Sequence, residues 1–279
     1  LEFRRVLFRS YYKIRYGFPL TQFHYLRNKF RKGIFRLYNM PRLQQLFTVN
    51  AVKRKSGQVA RLQRKLRRLP LPRNKSTWDD YHHQYLDETG NVKRSTSRFD
   101  KIAGLLEHHQ VETVTELAGN QGVMSKIILQ KTPTVKRIVC TDYDENAIDR
   151  LYLSIRGSAL RDKIVPAITN FMTPVPNYFG SPPCQRFISQ CVLALAVTHH
   201  LVLTQGFHID TILSTIRQYT TQYAVIEFMP KGLWDGKKSP PFPDWYNRDW
   251  FVNHLGKHFT ILSEEQTEEN RITFFCSIH

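Results

Sequence analysis

The chain has 279 residues, of which 41% are hydrophobic, with 41 Lys+Arg against 23 Asp+Glu and a formal net charge of +18. That length accommodates one large α/β domain plus an appendage. No apolar run approaches the ~20 residues that span a bilayer, and Cys140, Cys184, Cys191 and Cys276 show neither CxxC nor His-paired metal spacing. They read as buried thiols of a reducing compartment, so a cytoplasmic protein without a metal site is expected.

The charge is uneven. Residues 1–75 hold 21 Lys+Arg and one acid, whereas residues 76–279 hold 20 Lys+Arg and 22 acids. The first ten residues, "LEFRRVLFRS", resemble translated adaptor sequence and are set apart from the fold. Residues 11–75 interleave Lys/Arg with aromatics and contain no acid. Such an extension can engage an acidic membrane surface peripherally, a glycan-assembly protein or, as a weaker alternative, nucleic acid. Within it "QVARLQRKLRRL" predicts a helix with Val59, Leu62, Leu66 and Leu69 on one side, and "LPLPRNKS" reads as a linker.

A domain over 76–279 follows. "WDDYHHQYL" is expected as a helix capped by Ser76 or Thr77, then "RFDKIAGLLEHH" as an amphipathic helix. Strands are predicted at "VETVTEL", "VKRIVCT", "KIVPAIT", "CVLALAV" and "YAVIEF", alternating with helices, and at "FTILSEE" and "RITFFCSI". Five βα units imply a parallel sheet with right-handed crossovers. The last two strands are joined too tightly for a crossover and must pair antiparallel. Two long loops, "NFMTPVPNYFGSPPCQR" and "MPKGLWDGKKSPPFPDW", have the length of functional covers.

The turn "ELAGNQG", Glu116 to Gly122, joins the first strand of this series to a helix. Gly119 and Gly122 would let backbone approach a ligand at a helix N-terminus, where unpaired N–H groups favour an anion. Twenty residues past Gly122 the next strand ends in Asp142-Tyr143-Asp144, and an acid there can accept from both hydroxyls of a ribose. Together these features ask for a nucleoside that carries an anionic group.

The A-G-N-Q-G loop preceded by Glu116 is not the dinucleotide G-x-G-x-x-G pattern. It resembles motif I of class I S-adenosylmethionine-dependent methyltransferases. The resemblance covers 78–279 and extends to a branch that includes nodulation host-specificity and surface-carbohydrate-associated methyltransferases. It is carried by "ELAGNQG", "TDYDENAIDRLY", "VLALAVTHHL" and "IEFMPKG". It implies a Rossmann-like, doubly wound, seven-stranded sheet, mostly parallel with an antiparallel terminal strand, and S-adenosyl-L-methionine as cofactor. Glu116, Ala118, Gly119, Asn120 and Gly122 would hold the methionyl part. Asp142, or Asp144, would take the ribose, with Tyr143 beside them. Asn170 and Phe171 would stand at the adenine, Asn170 replacing the usual acid. Gln190 also stands where relatives have an acid, at the start of the fourth strand.

The same resemblance places the acceptor near the ends of the fourth and fifth strands, at His199, His200 and Glu227. In extended chain the two histidines point opposite ways, so at most one readily faces the acceptor as a base, and the alternative is that both are structural. Glu227 is a second candidate base or a structural hydrogen-bond partner. Absence of the [DN]-P-P-[YF] motif after the fourth strand argues against amide and adenine-amine acceptors. Trp78, Asp79, Tyr81, His82, Tyr85, Trp234, Trp245, Tyr246 and Trp250 suit a sugar or nucleoside acceptor, or the packing of a lid. Three functions follow from these features: O-methylation of a carbohydrate or other small polar acceptor, methylation of RNA or ribosome, and a non-catalytic nucleoside-binding module.

Overall fold

The computed structural model describes residues 59–65, 84–173 and 180–279. The chain divides into two compact units, Leu1–Arg73 and Asn74–His279. In the first, 59–65 is helical as expected, with Val59 and Leu62 exposed; the rest of the basic extension lies outside the described residues. Among the described residues no helix is long and apolar enough to cross a membrane.

The second unit opens with α1, Ser97–His108, whose N-cap Thr96 accepts from the Phe99 N–H. Phe99, Ile102, Ala103 and Leu106 form its buried stripe. Then follow β1 Thr113–Leu117, α2 Val123–Lys131, β2 Arg137–Asp142, α3 Glu145–Ile155, a 3-10 turn Ala159–Asp162 and β3 Ile164–Ile168. The chain continues through a one-turn α4 Pro183–Arg186, β4 Ser189–Ala194, α5 Thr198–Leu203, α6 Ile209–Arg217, β5 Thr220–Phe228, α7 Arg248–Leu255, β6 Thr260–Glu268 and β7 Arg271–Ser277.

The seven strands run in the order β3-β2-β1-β4-β5-β7-β6. β1 to β5 are parallel, and β7 lies antiparallel between β5 and β6. The sheet is covered on both faces. Val192, Ala194, Ala224, Ile226 and Phe274 meet the apolar stripes of α6 and α7, while the intervening Cys191, Leu193, Val225 and Phe275 meet α1 and α2. Adjacent strand residues thus feed opposite core layers, as the two-residue period requires. The order reverses between β1 and β4, and a crevice at the carboxyl ends of those strands is the usual ligand position of such sheets.

Two expectations differ from the structure. The helix expected over "WDDYHHQYL" is, in its described part, a turn from which Leu86 makes an antiparallel bridge to Val92. The His199–His200 pair is not extended, because it lies in the first turns of α5.

Glu227, at the end of β5, is fully buried and anchors the strand ends. Its Oε1 accepts from Arg98 Nη1 at 2.8 Å and its Oε2 from Arg271 Nη1 at 3.0 Å and from the Ala196 N–H at 2.9 Å. A buried carboxylate so engaged holds three elements together, and its removal would leave Arg98 and Arg271 sharing Glu268 as their one remaining acid partner. Glu227→Gln is expected to destabilise the fold by about 3–5 kcal/mol, read as a lower denaturation midpoint. An unchanged midpoint would mean that Glu227 does not hold the fold and is available for chemistry.

Candidate active site

A cavity of about 410 Å3 opens at the β1/β4 reversal. Of the expected cofactor residues, Glu116, Ala118, Gly119, Asn120, Asp142, Tyr143, Asn170 and Phe171 line it. Gly122 and Asp144 do not. Gly122 is the N-cap of α2, in left-handed conformation at φ 68°. Asp144 is the N-cap of α3, its Oδ1 accepting from the Asn146 and Ala147 N–H groups at 2.9 and 3.3 Å. Between the two acids, the one facing the cavity is therefore Asp142.

The glycines are also required by packing within the chain. A Cβ on Gly119 would sit 2.6 Å from Cys140 Sγ and 2.8 Å from Glu116 Cδ, and one on Gly122 would sit 2.9 Å from Leu151 Cδ1. Packing against Cys140 of β2 and Leu151 of α3 excludes side chains at these positions, and Gly119 also lines the cavity. Ala118 and Asn120 also take left-handed conformations, at φ 54° and 50°. Such conformations cost of order 1–3 kcal/mol each and cluster at ligand sites. Ala196, at φ 50°, does the same at the end of β4 and also lines the cavity.

Asp142 ties the crevice together. Its Oδ2 accepts from the Asn120 N–H at 2.8 Å and its Oδ1 from the Asp144 N–H at 2.9 Å. Burial nonetheless raises its pKa. Glu116 accepts from the Ser125 N–H at 3.1 Å and from the Ser125 hydroxyl, which places an acid at the N-terminus of α2. Burial outweighs those bonds and pushes its pKa up to about 7.

The polarity of this cavity selects among nucleoside ligands. Two carboxyl groups line it, which are both negative once Glu116 has ionised above about pH 7, and the one lining arginine among the described residues, Arg98, is paired with Glu227 and Glu268. A pyrophosphate would meet net negative charge there. A nucleoside bearing a cationic group would be favoured, and S-adenosylmethionine, with a sulfonium and an ammonium against one carboxylate, fits that description.

The far wall holds Leu195, Ala196, Val197, His200, Leu201, Thr204 and Gln205. His200 faces the cavity, and partial burial lowers its pKa, so the ring is neutral at physiological pH. His199 does not line it. It is 5% exposed, its Nδ1 has no hydrogen-bond partner, and burial pushes its pKa down to about 3. The two rings pack with centroids 4.1 Å apart. Glu227 is likewise absent from the lining, its oxygens being engaged by the two arginines and Ala196. Gln190 lies at the opposite, amino end of β4, bonding the Glu112 N–H and Gln222, away from the cavity.

The aromatic residues separate into two groups. Tyr246 is buried against Phe228, Phe242 and Trp250, which is the packing role. Trp234 and Tyr85 line a second cavity of about 470 Å3 that shares Arg98 with the first. Trp78, Asp79, Tyr81 and His82 lie outside the described residues. Sequence reasoning missed Arg98, a cation at the start of an amphipathic helix. Its signal was the acid of "YAVIEF", which needs a buried partner once the strand is recognised as central.

No family model matches the chain. It is 26% identical over 214 residues to the nodulation protein NoeA of Rhizobium meliloti strain 1021, a match covering 72% of this chain and 42% of that protein. The chain thus matches less than half the length of that curated relative. Among solved structures it is similar to the magnesium protoporphyrin IX methyltransferase of Synechocystis PCC 6803 with bound S-adenosylmethionine, at TM-score 0.53 and 13% identity, covering 74% of this chain and 93% of that one. It is also similar to an S-adenosylmethionine-dependent methyltransferase of Clostridium acetobutylicum ATCC 824, at TM-score 0.50 and 10% identity, covering 72% and 96%. The fold is that of the class I methyltransferases.

Proposed function

We propose that the Asn74–His279 unit is an S-adenosylmethionine-dependent methyltransferase that methylates a hydroxyl of a carbohydrate or other small polar acceptor. The observation that carries this reading is the cavity at the strand reversal, which Glu116, Asp142 and His200 line together. The resemblance to surface-carbohydrate-associated methyltransferases supports a glycan acceptor. The acid-free extension over 11–75 would hold the enzyme at an acidic membrane surface or a glycan-assembly protein.

When bound, S-adenosylmethionine supplies a methyl group already activated on a sulfonium, so the chain has mainly to orient the acceptor and take up its proton. Asp142 accepts from the ribose hydroxyls while its backbone bonds keep the Asn120 and Asp144 turns in register. Tyr143, Asn170 and Phe171 flank the base, Asn170 offering an amide in place of an acid. Neutral His200 receives the hydroxyl proton. Calorimetric titration of the full chain with S-adenosylmethionine and S-adenosylhomocysteine tests the reading. Micromolar binding is expected, and absence of binding to the folded chain would overturn it.

Glu116 gives this binding a pH dependence. Its pKa in the folded chain, about 7, lies above its ordinary 4.5, so the folded chain retains a proton that the unfolded chain has released. That contribution to stability is present below 4.5 and is lost as pH rises through about 7. A cationic ligand requires the carboxylate, so its binding releases the proton. Affinity for S-adenosylmethionine is expected to rise through pH 7 and to fall by up to about tenfold per pH unit below it. Glu116→Gln should flatten that profile, and an unchanged slope in the variant would assign the titration to another group.

A further inference from the structure

The second cavity is lined by none of the residues assigned above to the cofactor. Tyr85, Arg98, Trp234, Asp235, Glu268 and Arg271 are among its lining residues, and Arg98 is common to both cavities. Its wall is a closed ring of alternating charge. Arg98 bonds Glu227 through Nη1 at 2.8 Å and Glu268 through Nε at 3.2 Å. Arg271 bonds the same two carboxylates through Nη1 at 3.0 Å and Nε at 2.7 Å. Two guanidiniums and two carboxylates therefore cancel. Beyond the ring, Glu269 is paired by Lys231, whose ammonium also lies 4.5 Å from the centre of the Trp234 ring, and Asp235 adds a further negative charge.

We propose that this cavity is the acceptor subsite and that it takes an uncharged sugar ring. The proposal rests on the methyltransferase reading above and narrows its acceptor. An anionic acceptor, such as a uronate or a phosphate ester, would compete with carboxylates already seated on both guanidiniums. A wholly apolar acceptor would desolvate the charged ring without replacing its water. A neutral sugar does neither. Its hydroxyls donate to carboxylate oxygens and accept from guanidinium N–H groups, and its C–H face suits the indole of Trp234. Arg98 lines both cavities, so they adjoin, and the hydroxyl to be methylated must project past Arg98 into the first cavity, where His200 lies. Each volume falls within the ~300–1,000 Å3 of ordinary small-molecule sites.

The test uses the full chain, with S-adenosylhomocysteine affinity measured by calorimetry and saturation-transfer NMR recorded on the methyl glycosides of glucose, galactose and mannose and on the corresponding hexuronates. At least one neutral glycoside is expected to receive saturation, with the uronates weaker by roughly tenfold. Trp234→Ala should abolish the sugar signal and Trp234→Phe should restore it, with S-adenosylhomocysteine affinity unchanged in both. Uronates binding as well as neutral sugars, a Trp234→Ala signal equal to that of the parent, or no signal from any neutral glycoside would each overturn the acceptor assignment while leaving the methyltransferase reading in place. Failure to bind S-adenosylhomocysteine would instead sink that reading, and the acceptor assignment with it.

Discussion

Replacing His200 by alanine is expected to lower kcat by about 10²–10⁴-fold, the usual contribution of a positioned general base. S-adenosylmethionine affinity should change little, because the cofactor reading places its contacts on β1, β2 and the chain after β3. The argument is one of placement. His200 lines the cavity and burial keeps it neutral, so it can accept a proton at physiological pH. His199, one residue earlier, is turned away into the interior and held neutral down to about pH 3. His199→Ala should therefore lower stability, not the chemical step. The decisive measurement is kcat against pH at saturating S-adenosylmethionine, where the Glu116 titration no longer sets the acid limb, for both variants. The parent should lose activity as pH falls and protonates His200, at a pKa below the ordinary histidine value of 6.5. A His200→Ala enzyme retaining full kcat with the same acid limb would remove His200 from the proton transfer.

The contrast between the two histidines shows what could be read from the residues and what could not. "ELAGNQG" and the acid twenty residues beyond it are local signals: a strand, a turn in which side chains clash, and the next strand end. Their positions follow from the βα repeat alone, so the parallel sheet and a cavity at the carboxyl ends of its strands were legible. The physical reason for the glycines was not, because Cys140 and Leu151, which exclude a Cβ there, are distant in sequence. At the end of β4 the apolar run "CVLALAV" continues into "THHL" without a glycine or proline to mark the break. The strand ends at Ala194, and Ala196, a residue with no preference for φ 50°, turns the chain into α5. That turn is held from outside by the Ala196 N–H bond to Glu227. A helix therefore begins where alternation predicted extended chain, and the side-chain directions assigned to His199 and His200 change with it.

The role of Glu227 was hidden for a related reason. An acid at the end of an apolar strand reads equally as a base or as a buried ion-pair partner. The deciding residues, Arg98 and Arg271, lie 129 and 44 positions away. Only the antiparallel register, which sets Phe228 opposite Ile272, brings Arg271 within reach. Its closed ring with Arg98 and Glu268 makes Glu227 the inner member of a wall that Arg98, Arg271 and Glu268 present to the second cavity. On the acceptor proposal, stability and recognition would both draw on Arg98, Arg271 and Glu268. A substitution among them alters both, which is why Trp234, outside the ring, is the cleaner probe of recognition.

Asp142→Ala is expected to weaken S-adenosylmethionine binding by about 10²-fold or more, since it removes hydrogen bonds to a charged acceptor worth about 1.5–3 kcal/mol each. Two losses combine. The carboxylate is no longer present for the ribose, and the Asn120 and Asp144 N–H groups, at 2.8 and 2.9 Å in the parent, lose their acceptor, so the strained glycine turn is no longer pinned to β2. Asp142→Asn separates the contributions. An amide oxygen can serve one of the two N–H groups, so this variant should keep more of the turn than alanine does while losing the charge that favours a cationic ligand. Calorimetry on the parent and both variants should rank affinity as Asp, then Asn, then Ala, with a circular dichroism spectrum common to all three. Equal affinities across the series would place the nucleoside elsewhere. A parallel loss on Asp144→Ala, beyond that expected from removing the N-cap of α3, would move the ribose contact to the second acid of the pair.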